Sequence, residues 1–344
     1  MQQEGHHASS TQDITIYSLA AELGLSPSTV SRAFSRPDLV RESVRERILD
    51  LATQKGYAPS RLARSLATGR TGLIGLLVGD ITNPFFPPLV RAVEHATNVL
   101  DSAVLLVDAR SGGRPEHELI RRVVQNVDGM IMASPWARTP DLRAAIGKTP
   151  TVLINRVVQG LASVTCHAIG AHLEAAEHLV ELGHRRILLD RGPSESWVAQ
   201  RRSSALRRWA EARPGIELIE GRRRQSGYLR GRNRVGEMLE TGATAIMAID
   251  DYTAAGIIDG LAEVGVSVPE DISVVGCDDV LMSQVMTPQL TTITVPGPEL
   301  GNAAVGLLSQ LMASTPVENV TMDAELQVRG TTGPAPRRRG GRRR

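Results

Sequence analysis

The chain has 344 residues, 42% of them hydrophobic and 22% charged, with a formal net charge of +2. At roughly 100–200 residues per domain, this is a globular composition that predicts two or three folded units with a large core. Only 3% of residues are aromatic, so Leu, Val, Ile and Ala must supply most of that core, and the two cysteines, Cys166 and Cys277, are too few for a disulfide framework.

The opening MQQEGHHASSTQD has no apolar stretch of the signal-peptide kind, and no run approaches the roughly 18 apolar residues of a membrane span. A cytosolic protein is expected. Charge is unevenly spread. From Ile16 to Arg70 there are nine Lys/Arg against five Asp/Glu, and the last eight residues, RRRGGRRR, hold six arginines and no acid. Both ends are candidates for phosphate contact, although a solvated, disordered tail accounts for the arginine run as well.

In chain order, residues 1–13 are polar and expected to be disordered. Ile16, Leu19, Ala20 and Leu23 then form the i, i+3, i+4, i+7 stripe of a helix, with Thr15 as N-cap and Gly24 as its stop. A second helix opens at Ser26-Pro27, where a capping hydroxyl precedes a proline that needs no N–H, and buries Val30, Ala33 and Phe34. A third runs from about Glu42 to Lys55. The stretch SRLARSLATGRTG reads as a linker. From Leu73 apolar strand-like runs alternate with helical ones: LIGLLVGD, AVLLVDA, GMIMAS and TVLINR, then SVTCH, RRILLD, AIMAID and ISVVGCDD. Continuous apolar strands followed by helices predict buried parallel sheets covered on both faces. The expected class is therefore α/β, an all-α headpiece followed by two doubly wound lobes.

The first two helices meet at Gly24-Leu25, the tight turn of a helix-turn-helix, which sets the second helix in a major groove. Its solvent-facing residues are Ser28, Thr29, Ser31 and Arg32. A guanidinium can bond guanine O6 and N7 together, and the helix N-terminus points N–H groups at phosphate. Taken alone, the same helices also suit an ordinary all-α subdomain.

The segment TIYSLAAELGLSPSTVSRAFSRPDLVRESVRERILDLATQKGYAPSRLARSLATGRTGLIGLLVGDITNPFF resembles the headpiece, hinge and first core strand of LacI/GalR-type repressors. The likeness continues in order through EAAEHLVELGHRRI, VPEDISVVGCDD and PQLTTITVP. The resemblance implies a headpiece at 14–59, a hinge at 60–70 and a periplasmic-binding-protein-like core at 71–330. Lobe 1 would take about 71–158 and 292–318, lobe 2 about 159–291 and 319–330, and 331–344 would be a basic disordered tail. It implies major-groove reading by Pro27, Ser28 and Arg32, with Thr15, Tyr17, Ser26, Thr29 and Ser31 completing the candidate contacts. Arg61 and Arg64 would meet phosphates. Leu66 would be an apolar wedge in the minor groove, where an inserted side chain costs a few kcal/mol of unstacking and gains a bent duplex. Two hinges ordered against each other imply a homodimer on a near-palindromic operator of double-stranded DNA.

Parallel lobes bind ligands at the carboxyl ends of their strands, which here carry polar residues. The resemblance makes Asn83, Phe85, Phe86, Ser134, Asn155, Trp197, Arg201, Asp250, Cys277 and Asp278 the candidate contacts for a sugar-like effector, and places Arg156 beside them. Carboxylates would accept from hydroxyls, the guanidinium would donate, and an aromatic would cover a ring face. Asp251 and Asp279 are read as caps of the segments that follow them. The chain departs from the family pattern at Asn155, Cys166, His167, Ser204, Ala205, Asp250 and Cys277, so a reshaped pocket is expected, suited to an amino sugar, a cation-bearing metabolite or a phosphate-free sugar. No cofactor or metal is expected, since two Cys and one His lack short ligand spacing. A sugar receptor with no DNA role and a sugar-processing enzyme are the alternatives. The helix-turn-helix argues against the first, and the lack of a GxSxG or GxxxxGK[ST] motif against the second.

Overall fold

The computed structural model describes residues 14–35, 37–57, 69–110 and 113–336. The chain divides into two compact units, 1–72 and 73–344.

The first unit is a helical cluster. Helices α1 (Ile16–Leu23), α2 (Pro27–Ser35) and α3 (Glu42–Lys55) bury Leu19, Ala20, Val30, Ala33, Ile48 and Ala52 against one another. Thr15 and Ser18 cap α1 reciprocally: the Thr15 N–H donates to Ser18 Oγ (2.9 Å) and the Ser18 N–H to Thr15 Oγ1 (3.3 Å). Gly24 ends α1 at φ 66°, a left-handed conformation that favours glycine. Ser26 caps α2 by accepting from the Thr29 N–H (3.2 Å).

In the second unit, a six-stranded parallel sheet has the order β11 (Val320–Asp323), β5 (Ala162–His167), β4 (Thr151–Ile154), β3 (Gly129–Ala133), β1 (Leu73–Val78), β2 (Ala103–Asp108). A four-stranded parallel sheet has the order β7 (Glu217–Glu220), β6 (Arg186–Leu189), β8 (Ala245–Met247), β9 (Ser273–Val275). A short antiparallel pair joins β10 (Thr292–Thr294) to β12 (Glu325–Gln327). The apolar runs LIGLLV, GMIMA and TVLI become the buried central strands, whereas AVLLVD lies at an edge and leaves Leu105 and Leu106 exposed. Helices Phe86–Val99 and Gly297–Met312 pack Leu89, Val93, Leu300, Ala304 and Leu308 on the first sheet. β1 lies between β2 and β3, and β6 between β7 and β8, so in each sheet the strand order reverses at a switch point that opens a crevice at the strands' carboxyl ends.

Three expectations change. SVTCH was expected to open the second lobe, and 319–330 to lie in it, but β5 and β11 pair with each other in the first lobe's sheet, Val320 opposite Val164, while Ala324 and Leu326 pack on the second lobe as expected. Ile293, in a segment expected in lobe 1, packs in the second lobe's core. Residues 331–336, expected in the disordered tail, are tied to the second lobe: Thr331 is fully buried and exchanges bonds with Val274 through its carbonyl (2.9 Å) and hydroxyl (2.7 Å). Residues 337–344 lie outside the described residues.

Candidate functional site

On the headpiece, Thr15, Tyr17, Ser26, Pro27, Ser28 and Arg32 are exposed, and Thr29 and Ser31 are half-exposed. The hydroxyls of Ser28 and Thr29 each lie 2.8 Å from Ser26 Oγ, forming a polar cluster at the N-terminus of α2. Tyr17 is 71% exposed. Arg61, Arg64 and Leu66 lie outside the described residues.

In the second unit, the strand ends of the two sheets line a cleft of about 150 Å³. Asn83, Phe85, Phe86, Ser134, Asn155, Asp250, Cys277 and Asp278 all border it. Ser134 follows β3 at φ 52°, Asn155 follows β4 at φ 54°, and Asp278 lies just beyond β9 at φ 110°. Left-handed backbone at non-glycine residues costs roughly 1–3 kcal/mol each and gathers at functional sites.

The first wall is built by charge and stacking. Asp80 accepts from Arg110 Nη1 (2.7 Å) and from the Thr82 N–H (3.0 Å). Burial pushes its carboxyl up, but the Thr82 bonds and the Arg110 guanidinium outweigh that and hold it below the usual range. Arg110 also lies over the Trp136 ring, 4.9 Å from its centre. The Trp136 backbone N–H donates to the Glu116 carboxylate (2.9 Å). Asn155 Oδ1 accepts from the Cys166 N–H (2.9 Å), binding β4 to β5 at the cleft's edge. Phe86 is a core side chain, and Phe85 meets it edge-on at 5.4 Å. Arg156 is turned away from the cleft, donating to the Pro135 carbonyl (2.7 Å).

The facing wall corrects two expectations. Arg201 and Trp197 do not border this cleft; Arg202 does. Arg202 is buried and donates through Nη1 to the carbonyls of Ala248 (2.9 Å) and Ile249 (3.1 Å), and through Nη2 to that of Asp190 (2.8 Å). Arg201 is exposed and lies over the Trp197 ring at 4.8 Å. Helix Trp197–Glu211 buries Ala199, Arg202, Ser203, Leu206 and Trp209, so its inward phase passes through 202.

The second correction concerns capping. Asp250 caps helix Asp251–Glu263 by accepting from the Thr253 N–H (2.7 Å), and its other oxygen accepts from Asn83 Nδ2 (3.2 Å) across the cleft. Asp251 is fully buried and accepts from the Val280 N–H (3.0 Å) and the Thr292 hydroxyl. Asp279 accepts from Arg329, Ser283 and Thr294 side chains. Neither Asp251 nor Asp279 is a helix cap.

Burial pushes the carboxyls of Asp250 and Asp278 up, Asp278 strongly, with the nearby Asp250 and Asp251 adding to the rise. Burial lowers Arg202, but a guanidinium ordinarily ionises above pH 12 and stays charged. Burial and the Arg202 charge bring His172 down to about 3, so its ring is neutral. Its Nε2 faces Arg202 Nη1 (3.4 Å), which leaves the Nδ1 proton for the Ala168 carbonyl (2.7 Å). The Cys166 thiol is pushed up to about 12 by burial and the charges of Asp278 and Asp323, and burial raises Cys277 as well. Both thiols stay protonated and unreactive. Among the described residues no group of three or more His, Cys, Asp or Glu is placed to hold a metal, and no helix is long and apolar enough to cross a membrane.

Sequence reasoning passed over Asp80, Arg110, Trp136, His172, Ser196, Val198, Arg202 and Ser226. Asp80 and Arg110 follow β1 and β2, so the strand-end rule that found Asn83 and Ser134 could have found them. His172 and Val198 carry no comparable local signal.

Residues 176–332 match a family model described as a periplasmic binding protein-like domain. The ribose operon repressor of Bacillus subtilis (strain 168) is 31% identical over 309 residues, covering 88% of this chain and 93% of that protein. A crystal structure of the lac repressor dimer bound to operator and the anti-inducer ONPF is 28% identical, with a TM-score of 0.80 over 93% of this chain and 99% of that one. A LacI family transcriptional regulator from Enterococcus faecium with bound ribose is 27% identical, with a TM-score of 0.68 over 76% of this chain and 99% of that one. With a helix-turn-helix ahead of a two-lobed core, and with 31% identity to a repressor across nearly its whole length, the chain belongs to the LacI-type family of transcriptional regulators.

Proposed function

We propose that Asn83, Ser134, Asn155, Arg202, Asp250 and Asp278 hold a small sugar-like effector, and that its binding sets operator affinity. The protein is an effector-controlled DNA-binding repressor, as its relatives are. The observation that carries the ligand assignment is the polar balance of the cleft. Asp278 offers a carboxylate, while Arg202 Nε and Arg110 Nε are buried donors with no acceptor among the described residues. A sugar hydroxyl donates and accepts at once, so a polyol satisfies both kinds of group. Asp250 is already engaged by Thr253 and Asn83, and two guanidiniums share the cleft, which favours a neutral sugar over a cationic ligand.

On the DNA side, Ser28 and Arg32 of α2 are assigned to base edges, and Ser26, Thr29 and the first-turn N–H groups to phosphate. Arg61, Arg64 and Leu66 are assigned to the hinge contact. Two copies read a near-palindromic operator in the cytoplasm. Ligand shifts affinity only by its differential affinity for the two lobe arrangements. The test is selection of bound sequences from random DNA by the full chain, followed by titration against salt. The expected result is an enriched palindrome whose affinity falls steeply with salt through counterion release. Recovery of unrelated sequences would overturn the assignment.

A further inference from the structure

The cleft does not end at its inner chamber. Cys166, Ala168, His172, Val198 and Arg202 also border a second cavity of about 400 Å³. Trp197 and Arg201, absent from the inner chamber, line this outer one. The boundary between the two is made partly of the short side chains Cys166 and Ala168.

Trp197 stands out within the fold. It is half-buried, yet among the described residues it belongs to none of the hydrophobic clusters, whereas Trp209 on the same helix packs in the second lobe's core. Its ring lies under the Arg201 guanidinium instead. Across the chamber, the Thr165 and Thr321 hydroxyls lie 3.2 Å apart and His167 is exposed. An indole beside hydroxyl and guanidinium donors offers stacking and polar contacts to one ring. The inner chamber, about 150 Å³, falls below the roughly 300–1,000 Å³ of ordinary ligand sites, and the outer chamber brings the site into that range.

The geometry points to an effector of two linked units: a polyol in the inner chamber, and a second ring, glycosyl or aryl, against Trp197 in the outer one. This rests on reading the inner chamber as a polyol site. Trp197 then sets specificity for the second unit and contributes nothing to the first.

The test is calorimetric titration of the full chain with matched pairs: glucose, galactose, mannose, glucosamine and ribose, each against its phenyl β-glycoside, with cellobiose and lactose added. For at least one pair the two-ring member should bind about tenfold tighter, the magnitude of one good stacking contact. Trp197→Ala should abolish that gain while leaving the one-ring affinity unchanged, and Trp197→Phe should restore part of it. Binding of one or more sugars with no pair gaining from its second ring, or a gain that survives Trp197→Ala, would overturn the proposal and leave the polyol reading intact. Failure of every sugar and glycoside to bind would overturn both.

Discussion

Replacing Arg202 and Arg201 separately should give very different proteins, although the two are adjacent and chemically identical. Arg202 holds three backbone carbonyls, those of Ala248, Ile249 and Asp190, from a buried position. A hydrogen bond involving a charged group contributes about 1.5–3 kcal/mol. Water entering from the cleft will re-solvate some of the orphaned carbonyls, so Arg202→Ala should cost about 3–5 kcal/mol rather than the simple sum. Arg202→Lys keeps the charge but loses the planar fork, and should cost about 2 kcal/mol. Arg201→Ala loses a stacked contact on a half-buried ring, about 0.5–1 kcal/mol. Urea midpoints of the three variants, with sugar titrations alongside, check this. Arg202→Ala should also abolish inner-chamber binding. Equal losses, or a larger loss at 201, would refute the placement of Arg202 as the inward arginine.

Other outcomes follow from the same geometry. Asp278→Asn should weaken sugar binding about 3- to 10-fold by calorimetry, since it exchanges a carboxyl oxygen facing the sugar hydroxyls for an amide nitrogen. It should leave stability nearly unchanged, because burial and the neighbouring carboxyls already favour the uncharged form. Asp251 is pushed up to about 8 by burial, so its protonated form favours the fold. Its contribution is full below the unfolded carboxyl range near pH 4 and is lost as pH rises through about 8, so stability should fall across that window and Asp251→Asn should flatten the fall in thermal melts. Arg32→Ala should weaken the selected operator by about 1–3 kcal/mol in a gel shift while leaving the urea midpoint unchanged.

The architecture was legible because apolar runs such as GMIMA and TVLI are buried whole, and the helices between them keep a clear 3.6-residue phase. Strand partnership was not. β5 follows β4 in a run that reads like the start of a new lobe, yet it pairs with β4, Ile154 opposite Val164, and on its other side with Val320–Asp323, far along the chain. The site divided in the same way. Residues at strand ends, such as Asn83, Ser134, Asn155 and Asp278, were found because topology sends those ends to the crevice. Arg202 was missed by one position because two arginines stand side by side and only the helix's burial phase separates them. Asp250 took the capping role expected of Asp251 for a related reason: either could cap a helix, and Asp251 is instead drawn to Thr292 and Val280, which no local pattern brings near.

The central claim is that occupancy of the cleft sets DNA affinity. The most direct test measures operator affinity of the full chain with and without a saturating sugar that binds the cleft, in the wild type and in Asp278→Ala. Coupling of about 5- to 150-fold is expected in the wild type, and none in the variant at the same sugar concentration. A sugar that binds the wild-type cleft and leaves operator affinity unchanged would contradict the account.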